Sequence, residues 1–206
     1  LLTVHRALLA NDPAESRYAG RVRDVQNWIG GSDHSPRTAT FVPPAPERLA
    51  EGLADLMSFC ARQDLSPVAL AAVAHAQFET LHPFTDGNGR TGRTLIHLLW
   101  RKLTFAPEVV VPVSTVLLSD VDAYFEGLTH YRQGDLDSWL ARFATAAGRA
   151  ALAGSELADN VNNLRTTWLD AARPRSGSTV ASLIDLALSN PVLDIYAIRA
   201  HAPTTD

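Results

Sequence analysis

Within twelve consecutive positions, His82-Pro83-Phe84-Thr85-Asp86-Gly87-Asn88-Gly89-Arg90-Thr91-Gly92-Arg93, the chain gathers a base, an acid, an amide, three glycines and two arginines. His82 is a group that titrates near neutrality and can accept a proton from a hydroxyl. Gly87, Gly89 and Gly92 let a ligand come close to the backbone, and the free N–H groups of the helix that starts there attract anions. Phosphate is the expected guest. Arg90 and Arg93, three apart on the first turn of that helix, add charge-assisted hydrogen bonds to a polyphosphate. Asp86 offers a hard oxygen ligand, and magnesium is usually held by one such carboxylate together with substrate phosphates.

Three look-alike motifs fail on their residues. Gly87-x-Gly89-x-x-Gly92 matches the dinucleotide fingerprint, but that fingerprint must follow a strand and here a helix precedes it. Asp86-x-Asn88-x-Arg90 opens like a calcium loop, yet Arg stands at the fifth position and His97 at the twelfth, where ligands are obligatory. The Gly-Lys-Ser/Thr of a nucleotide-binding P-loop is absent.

Helices must position these groups. Leu49, Leu53, Leu56, Met57 and Cys60 recur at spacings of three and four, which predicts a helix over Glu47 to Gln63 after the rigid Pro43-Pro44-Ala45-Pro46. Ser66 caps a second helix with Pro67 at its first position, running towards Leu81. A third spans about Gly89 to Leu103, which leaves 82–88 as a short loop between two core helices. Val109 to Val113 reads as a turn-like or extended connector. Asp120 or Asp122 caps a helix through Tyr131, Gly134 and Asp135 turn, and Leu136 to Ala172 is one long helix or two abutting ones. Pro174, Ser176, Gly177 and Ser178 form the linker-like patch, with short helices over Thr179 to Leu188 and Leu193 to Ala200 beyond it. Thr38, Thr40 and Val42 alternate as β-formers between Gly30-Gly31 and the prolines, which predicts a small hairpin on an otherwise all-α body.

Composition bounds the function class. The 206 residues are 46% apolar and 19% charged, the balance of a folded chain and outside the range of disorder. The formal charge of −4 and the absence of any Lys/Arg run exclude bulk nucleic-acid or membrane-surface binding. The longest apolar run, Val68 to Ala74, falls far short of the roughly 20 residues a bilayer requires. The first ten residues, interrupted by His5 and Arg6, do not read as a signal peptide; the sequence starts at Leu1, and upstream residues are expected. With Cys60 the sole cysteine, neither an internal disulfide nor a Cys-based zinc site can form, and a cytoplasmic location is expected. Only Lys102 of the 18 basic residues is a lysine, a bias that hints at a bacterial source.

The stretch from His82 to Arg93 resembles the signature of the Fic family, His-Pro-Phe-x-Asp/Glu-Gly-Asn-Gly-Arg-x-x-Arg, with every fixed position filled. The likeness extends to Arg23 through Gly31, the Pro43 to Pro46 run, His75 through Leu81, Tyr124-Phe125, Gly134-Asp135 and Trp139, and so covers roughly residues 1 to 150. Thr179 to Ala202 resembles the start of the winged-helix module that often follows, cut short at Asp206. The resemblance implies a Fic domain over residues 1–173, all-α with a small β-hairpin flap, and a linker with a partial winged-helix-like segment over 174–206.

It also implies transfer of AMP from ATP to a Ser, Thr or Tyr hydroxyl of a protein. His82 would be the general base and Asp86 would hold magnesium; Gly87, Asn88 (with its side chain) and Gly89 would cradle phosphate oxygens, and Arg90 and Arg93 would grip the outer phosphates. Thr91 and Gly92 complete the implied ATP-binding stretch, Tyr124 stands where members place an aromatic residue against adenine, and Thr38, Ala39 and Thr40 fall in the flap that aligns the target by strand addition. Arg132 takes the place of an adenine-contacting Asn found in some relatives. Members are commonly silenced by a Ser/Thr-x-x-x-Glu-Gly/Asn helix; the two Glu-Gly pairs here, at 51–52 and 126–127, are preceded by Glu47 and Asp122 and do not fit. The implied partners are therefore the protein substrate, an inhibitory helix or antitoxin supplied upstream or in trans, and a second copy in a homodimer.

Other readings stay open at this level: transfer of UMP, phosphocholine or phosphate, removal of AMP, and a nucleotide-sensing regulator acting through its C-terminal helices. Gly89 argues against the phosphate-transferring relatives, which carry Lys there. Structural roles are expected for His75 and His97, and packing for Trp28, Trp100, Trp139 and Trp168.

Overall fold

Ser66 accepts a hydrogen bond from the Ala69 N–H at 3.2 Å, and Pro67 presets the first turn, so α3 (Pro67–Leu81) begins where the sequence places it. In the computed structural model, which describes residues 1–32, 34–175, 178–190 and 192–201, the fold is all-α. The other helices, in chain order, are α1 (Leu2–Leu9), α2 (Leu49–Cys60), α4 (Asn88–Lys102), α5 (Val113–Leu117), α6 (Val121–Arg132), α7 (Leu136–Ala172), α8 (Thr179–Ser189) and α9 (Ile195–His201). Asp120 caps α6 through the Ala123 N–H at 3.0 Å, and α7 is one continuous helix. Among the described residues, no helix is long and apolar enough to cross a membrane.

Two compact units divide the chain, 1–151 and 152 onward. In the first, α3 packs chiefly on α4 and α2, with α1 on α4 and α6 on α3. Its core is built from Leu56, Leu70, Phe78, Phe84, Ile96, Trp100, Trp139 and Phe143, all nearly fully buried. The two buried indoles keep their N–H groups satisfied, Trp139 on Ala72 O at 2.9 Å and Trp100 on Pro67 O at 3.0 Å. α3 has no single apolar stripe because most of its surface is buried, as befits a central helix. In the second unit, α8 buries Ile184 and Leu186, and Arg165 pairs with Asp185 at 2.7 Å. Trp168, expected in packing, is partly exposed there. Ser176 and Gly177 of the linker-like patch, and Pro191 and the residues from Ala202 on in the segment read as winged-helix-like from Thr179, lie outside the described residues.

The expected hairpin reduces to two isolated antiparallel bridges, Ile29 with Phe41 and Ser32 with Ser35. Thr40 N–H donates to Ile29 O at 2.8 Å and Ile29 N–H to Phe41 O at 2.9 Å. Thr38, read as a strand position, instead ends a 3₁₀ turn (Pro36–Thr38), because Pro36 fixes its own φ at the first position and the Ser35 hydroxyl accepts from the Arg37 N–H. The β-forming side chains are overruled by the proline that precedes them.

Candidate active site

α3 stops at His82, whose φ of 46° and ψ of 59° put a non-glycine residue in the left-handed region. That conformation costs on the order of 1 kcal/mol and must be imposed from outside. Arg23, 4% exposed, imposes it. Its Nε donates to His82 O at 2.9 Å, Nη2 to Leu81 O at 3.4 Å and to Pro44 O at 2.6 Å, and Nη1 to Val25 O at 3.0 Å, while its own N–H donates to Pro83 O at 2.9 Å. A buried guanidinium thus caps the carbonyl end of α3, where the helix dipole favours a cation.

The rest of the turn is held as tightly. Phe84 is fully buried, its ring stacked 3.7 Å from that of His5 at an interplanar angle of 7°. His5 Nδ1 accepts from the Gly20 N–H at 2.9 Å, which fixes the proton on Nε2, and Nε2–H donates to Asp86 O at 2.9 Å. Asn27 Nδ2 donates to Phe84 O at 3.0 Å. Gly87 takes φ 75° with His5 so near that a Cβ would lie 3.2 Å from its Nε2, so glycine is required there.

A cavity of about 280 Å³ opens on this turn, lined by His82, Thr85, Asp86, Gly87, Asn88, Gly89, Arg90 and Arg93. His82 Nδ1 is buried without a hydrogen-bond partner, which leaves Nε2 as the ring nitrogen on the cavity side. Burial, and after it the charges of Arg23 and Arg132, push the imidazole down to about 4, against weaker support from the Glu79 main chain and Asp86. The ring is therefore neutral at pH 7, with a lone pair to offer. Among the described residues, no acceptor takes the N–H groups of Gly87, Asn88 or Gly89, so the N-terminus of α4 is open to an anion. Arg93 lies over Gly89, where a Cβ would meet its Nη1 at 2.9 Å, and it has no carboxylate partner among the described residues. Arg90 Nη2 holds Asp86 Oδ2 at 2.6 Å, so these two groups pair with one another in the free protein.

Of the sequence-predicted site residues, His82, Asp86, Gly87, Asn88, Gly89, Arg90 and Arg93 converge on the cavity, and four details are corrected. The Asn88 side chain is engaged by Phe84, accepting from its N–H at 2.9 Å and donating to its O at 2.7 Å, so it shapes the turn and leaves only its backbone N–H for an anion. Thr91 is fully buried and lies outside the cavity. Gly92 faces α3, not a ligand: a Cβ there would come within 2.5 Å of Glu79 Oε1 and 2.9 Å of Phe78. Tyr124 is a core residue, its hydroxyl 2.9 Å from His75 Nε2 and its ring beside Trp139, and it lines a different cavity with Asp120 and Arg142. His75 is structural, as expected.

Helical periodicity carried the signal for two of these: on α4 the side chains of Arg90 and Arg93 share a side that Thr91 and Gly92 do not. The sequence reading missed Thr85 in the cavity wall and His5, Arg23, Asn27 and Glu79 behind it. The loop 29–41 reaches the same region, where the Arg132 guanidinium, whose charge bears on His82, sits 3.7 Å over the Phe41 ring.

Residues 1–100 match the model of the Fic/DOC family. Protein adenylyltransferase fic-1 of Caenorhabditis briggsae is 31% identical over 162 residues, 72% of this chain and 29% of that protein. The Caenorhabditis elegans protein of the same name is 38% identical over 119 residues, 56% of this chain and 21% of that one. The chain spans under a third of the length of these curated relatives. A Fic family protein from Desulfovibrio desulfuricans G20, solved by crystallography, is similar with a TM-score of 0.65 at 21% identity, covering 97% of this chain and 55% of that one, a likeness of fold. The relatives matched by sequence are animal proteins and give no support to the bacterial source read from the Arg bias.

Proposed function

The chain belongs to the Fic/DOC family over residues 1–100, and from that premise we propose that it transfers AMP from ATP to a Ser, Thr or Tyr hydroxyl of a target protein. One observation carries the reading: a neutral imidazole, an unoccupied set of backbone donors and an unpaired arginine line one cavity. The triphosphate lies along the Gly87–Gly89 backbone, with Arg93 on its outer phosphates. The target hydroxyl gives its proton to His82 Nε2 as its oxygen bonds to the α-phosphorus; the bond from that phosphorus to the bridging oxygen breaks, and pyrophosphate leaves with the electron pair. Positioned donors facing charge that develops in the transition state are each worth on the order of 10² to 10³ in rate.

Magnesium fits in one form only. Asp86 is half-exposed at the cavity, and among the described residues no cluster of three His, Cys, Asp or Glu could hold a metal by itself. One carboxylate with substrate phosphates and water matches what magnesium accepts, and the bound ion supplies neutralisation of phosphate charge. Asp86 must first release Arg90, which frees that guanidinium for phosphate. The flap loop, with Thr38, Ala39 and Thr40, is the surface we assign to the target segment.

The inhibitory glutamate that the resemblance implies is supplied neither by Glu51 nor by Glu126. Glu126 pairs with Arg142 at 3.2 Å and Glu51 lies 3.9 Å from Arg48, so neither Glu-Gly pair serves.

Incubation with magnesium and α-labelled or γ-labelled ATP tests the reading. Label from the α-phosphate appears on protein and falls by about 10³-fold in His82→Ala, whose circular dichroism is unchanged. Label from the γ-phosphate alone overturns AMP transfer in favour of a kinase.

A further inference from the structure

Two polar atoms at the end of α3 are buried with no hydrogen-bond partner, His82 Nδ1 and Glu79 Oε1, and the second carboxylate oxygen, Glu79 Oε2, lies 3.8 Å from that Nδ1. Both residues are fixed. His82 is pinned through its carbonyl by Arg23, and Glu79, 5% exposed, is walled in by Gly92 at 2.5 Å from an added Cβ. Such a carboxylate would be unusual packing unless the site needed it, since a buried acid without partners is costly.

The charged surroundings say what it answers. Arg23 and Arg132 face His82, and Arg93 and Arg132 face Glu79, while Tyr124 stands by as a neutral titratable neighbour; among the described residues Asp86 on the turn is the other anion that bears on His82, and it is held by Arg90. A base that takes a proton in this setting becomes an imidazolium beside two arginines and away from water. Unless an anion stands close, that cation is strongly disfavoured.

We propose that Glu79 is a positioning residue for the transfer, its carboxylate holding the His82 ring with Nδ1–H inward and Nε2 towards substrate and stabilising the imidazolium formed as the hydroxyl proton arrives. The 3.8 Å gap is too long for a hydrogen bond in the resting state and closes by a small ring rotation once the ring is charged. An acid behind a catalytic imidazole, opposite the nitrogen that takes the proton, is the arrangement that orients the base and offsets its charge in hydrolytic triads. The role rests on the AMP-transfer reading; the placement of the carboxylate does not.

Burial pushes the Glu79 carboxyl up to about 7, against the pull of Arg93 and Arg132. It is therefore protonated and uncharged below about pH 7, and the rate it supports falls as pH drops through that value, well above the pH at which His82 itself titrates.

Glu79→Gln keeps the shape and removes the charge. Three quantities are compared in the full chain: the rate of AMP transfer against pH, the ATP dissociation constant, and the His82 ring nitrogens by ¹⁵N NMR, assigned with His82→Ala. Wild type is expected to show a rate that falls below about pH 7 and a neutral ring protonated on Nδ1. In the Gln variant the rate at pH 8 falls by about 10²-fold, the acid limb near 7 disappears, the step that Glu79 ionisation imprints near pH 7 on the wild-type His82 ring-nitrogen shifts is lost, and ATP affinity stays within about threefold. Glu79→Asp recovers part of the rate and the limb. If ATP binding weakens in proportion to the rate, Glu79 merely holds Arg93 in place and the proposal is overturned. An unchanged pH profile and an unchanged course of the ring-nitrogen shifts through pH 7 overturn it too, because the Glu79 main-chain carbonyl then orients the ring. Should wild type transfer no AMP, the transfer reading fails, and the His82 ring-nitrogen shifts across pH 7 still decide the carboxylate's part: the same course in both proteins overturns it, and a step near 7 in wild type alone supports it.

Discussion

Two loops of the first unit, 82–88 with Gly87 and 29–41 with Gly30 and Gly31, have opposite constructions. The first is gripped by side chains distant in sequence: Arg23 on its carbonyls, His5 on Asp86 O and on the Phe84 ring, Asn27 on Phe84 O. The second is closed chiefly from within, by the Ile29–Phe41 and Ser32–Ser35 bridges and by Ser35 capping a single 3₁₀ turn, and most of its residues are exposed. What separates a rigid chemical turn from an adaptable surface is thus not glycine content but how many long-range donors reach its carbonyls. The difference suits the proposed division of labour. Proton transfer and anion binding need fixed atoms, whereas a loop that adds a target segment gains from open backbone groups.

The sharpest way to break this comparison is Arg23→Ala. It orphans carbonyls at Leu81, His82 and Pro44 and should cost about 3 kcal/mol in chemical denaturation, with ATP binding weakened as the left-handed turn relaxes. A loss below about 1 kcal/mol would mean that the turn holds itself. His5→Ala comes next, at about 2 kcal/mol, from the loss of two hydrogen bonds and the ring stack on Phe84; His5→Gln, able to donate to Asp86 O but not to stack, should recover less than half. Ser35→Ala is the smallest, about 0.5 kcal/mol, with the His82 ring spectrum unmoved. If Ser35→Ala matched Arg23→Ala, both loops would belong to one cooperative element and the contrast drawn above would be lost.

Much of the molecule was legible from pattern. Ser66-Pro67, and Asp120 or Asp122, announced their helices because capping is a local bond between neighbours, and α2 followed from three- and four-residue apolar spacing. The expected hairpin was half legible: its ends pair, but Pro36 converts the expected strand at Thr38 into a turn. α1 was not foreseen, and His5 within it looked like an interruption of an apolar stretch, because its partners Gly20 and Asp86 are remote in sequence.

The order of residues from His82 to Arg93 by itself determined the kind of chemistry on offer, a titratable base beside anion-binding backbone, since both capacities are properties of the residues and their spacing. Only the tertiary structure decided which of those residues face the cavity. The packing of α4 on α3 turned Thr91 and Gly92 inward, the closure of the turn engaged the Asn88 side chain, and core packing withdrew Tyr124. Burial likewise left His82 neutral and set Glu79 behind it, because desolvation and the approach of Arg23, Arg93 and Arg132 are facts of three-dimensional proximity that no local stretch of sequence encodes.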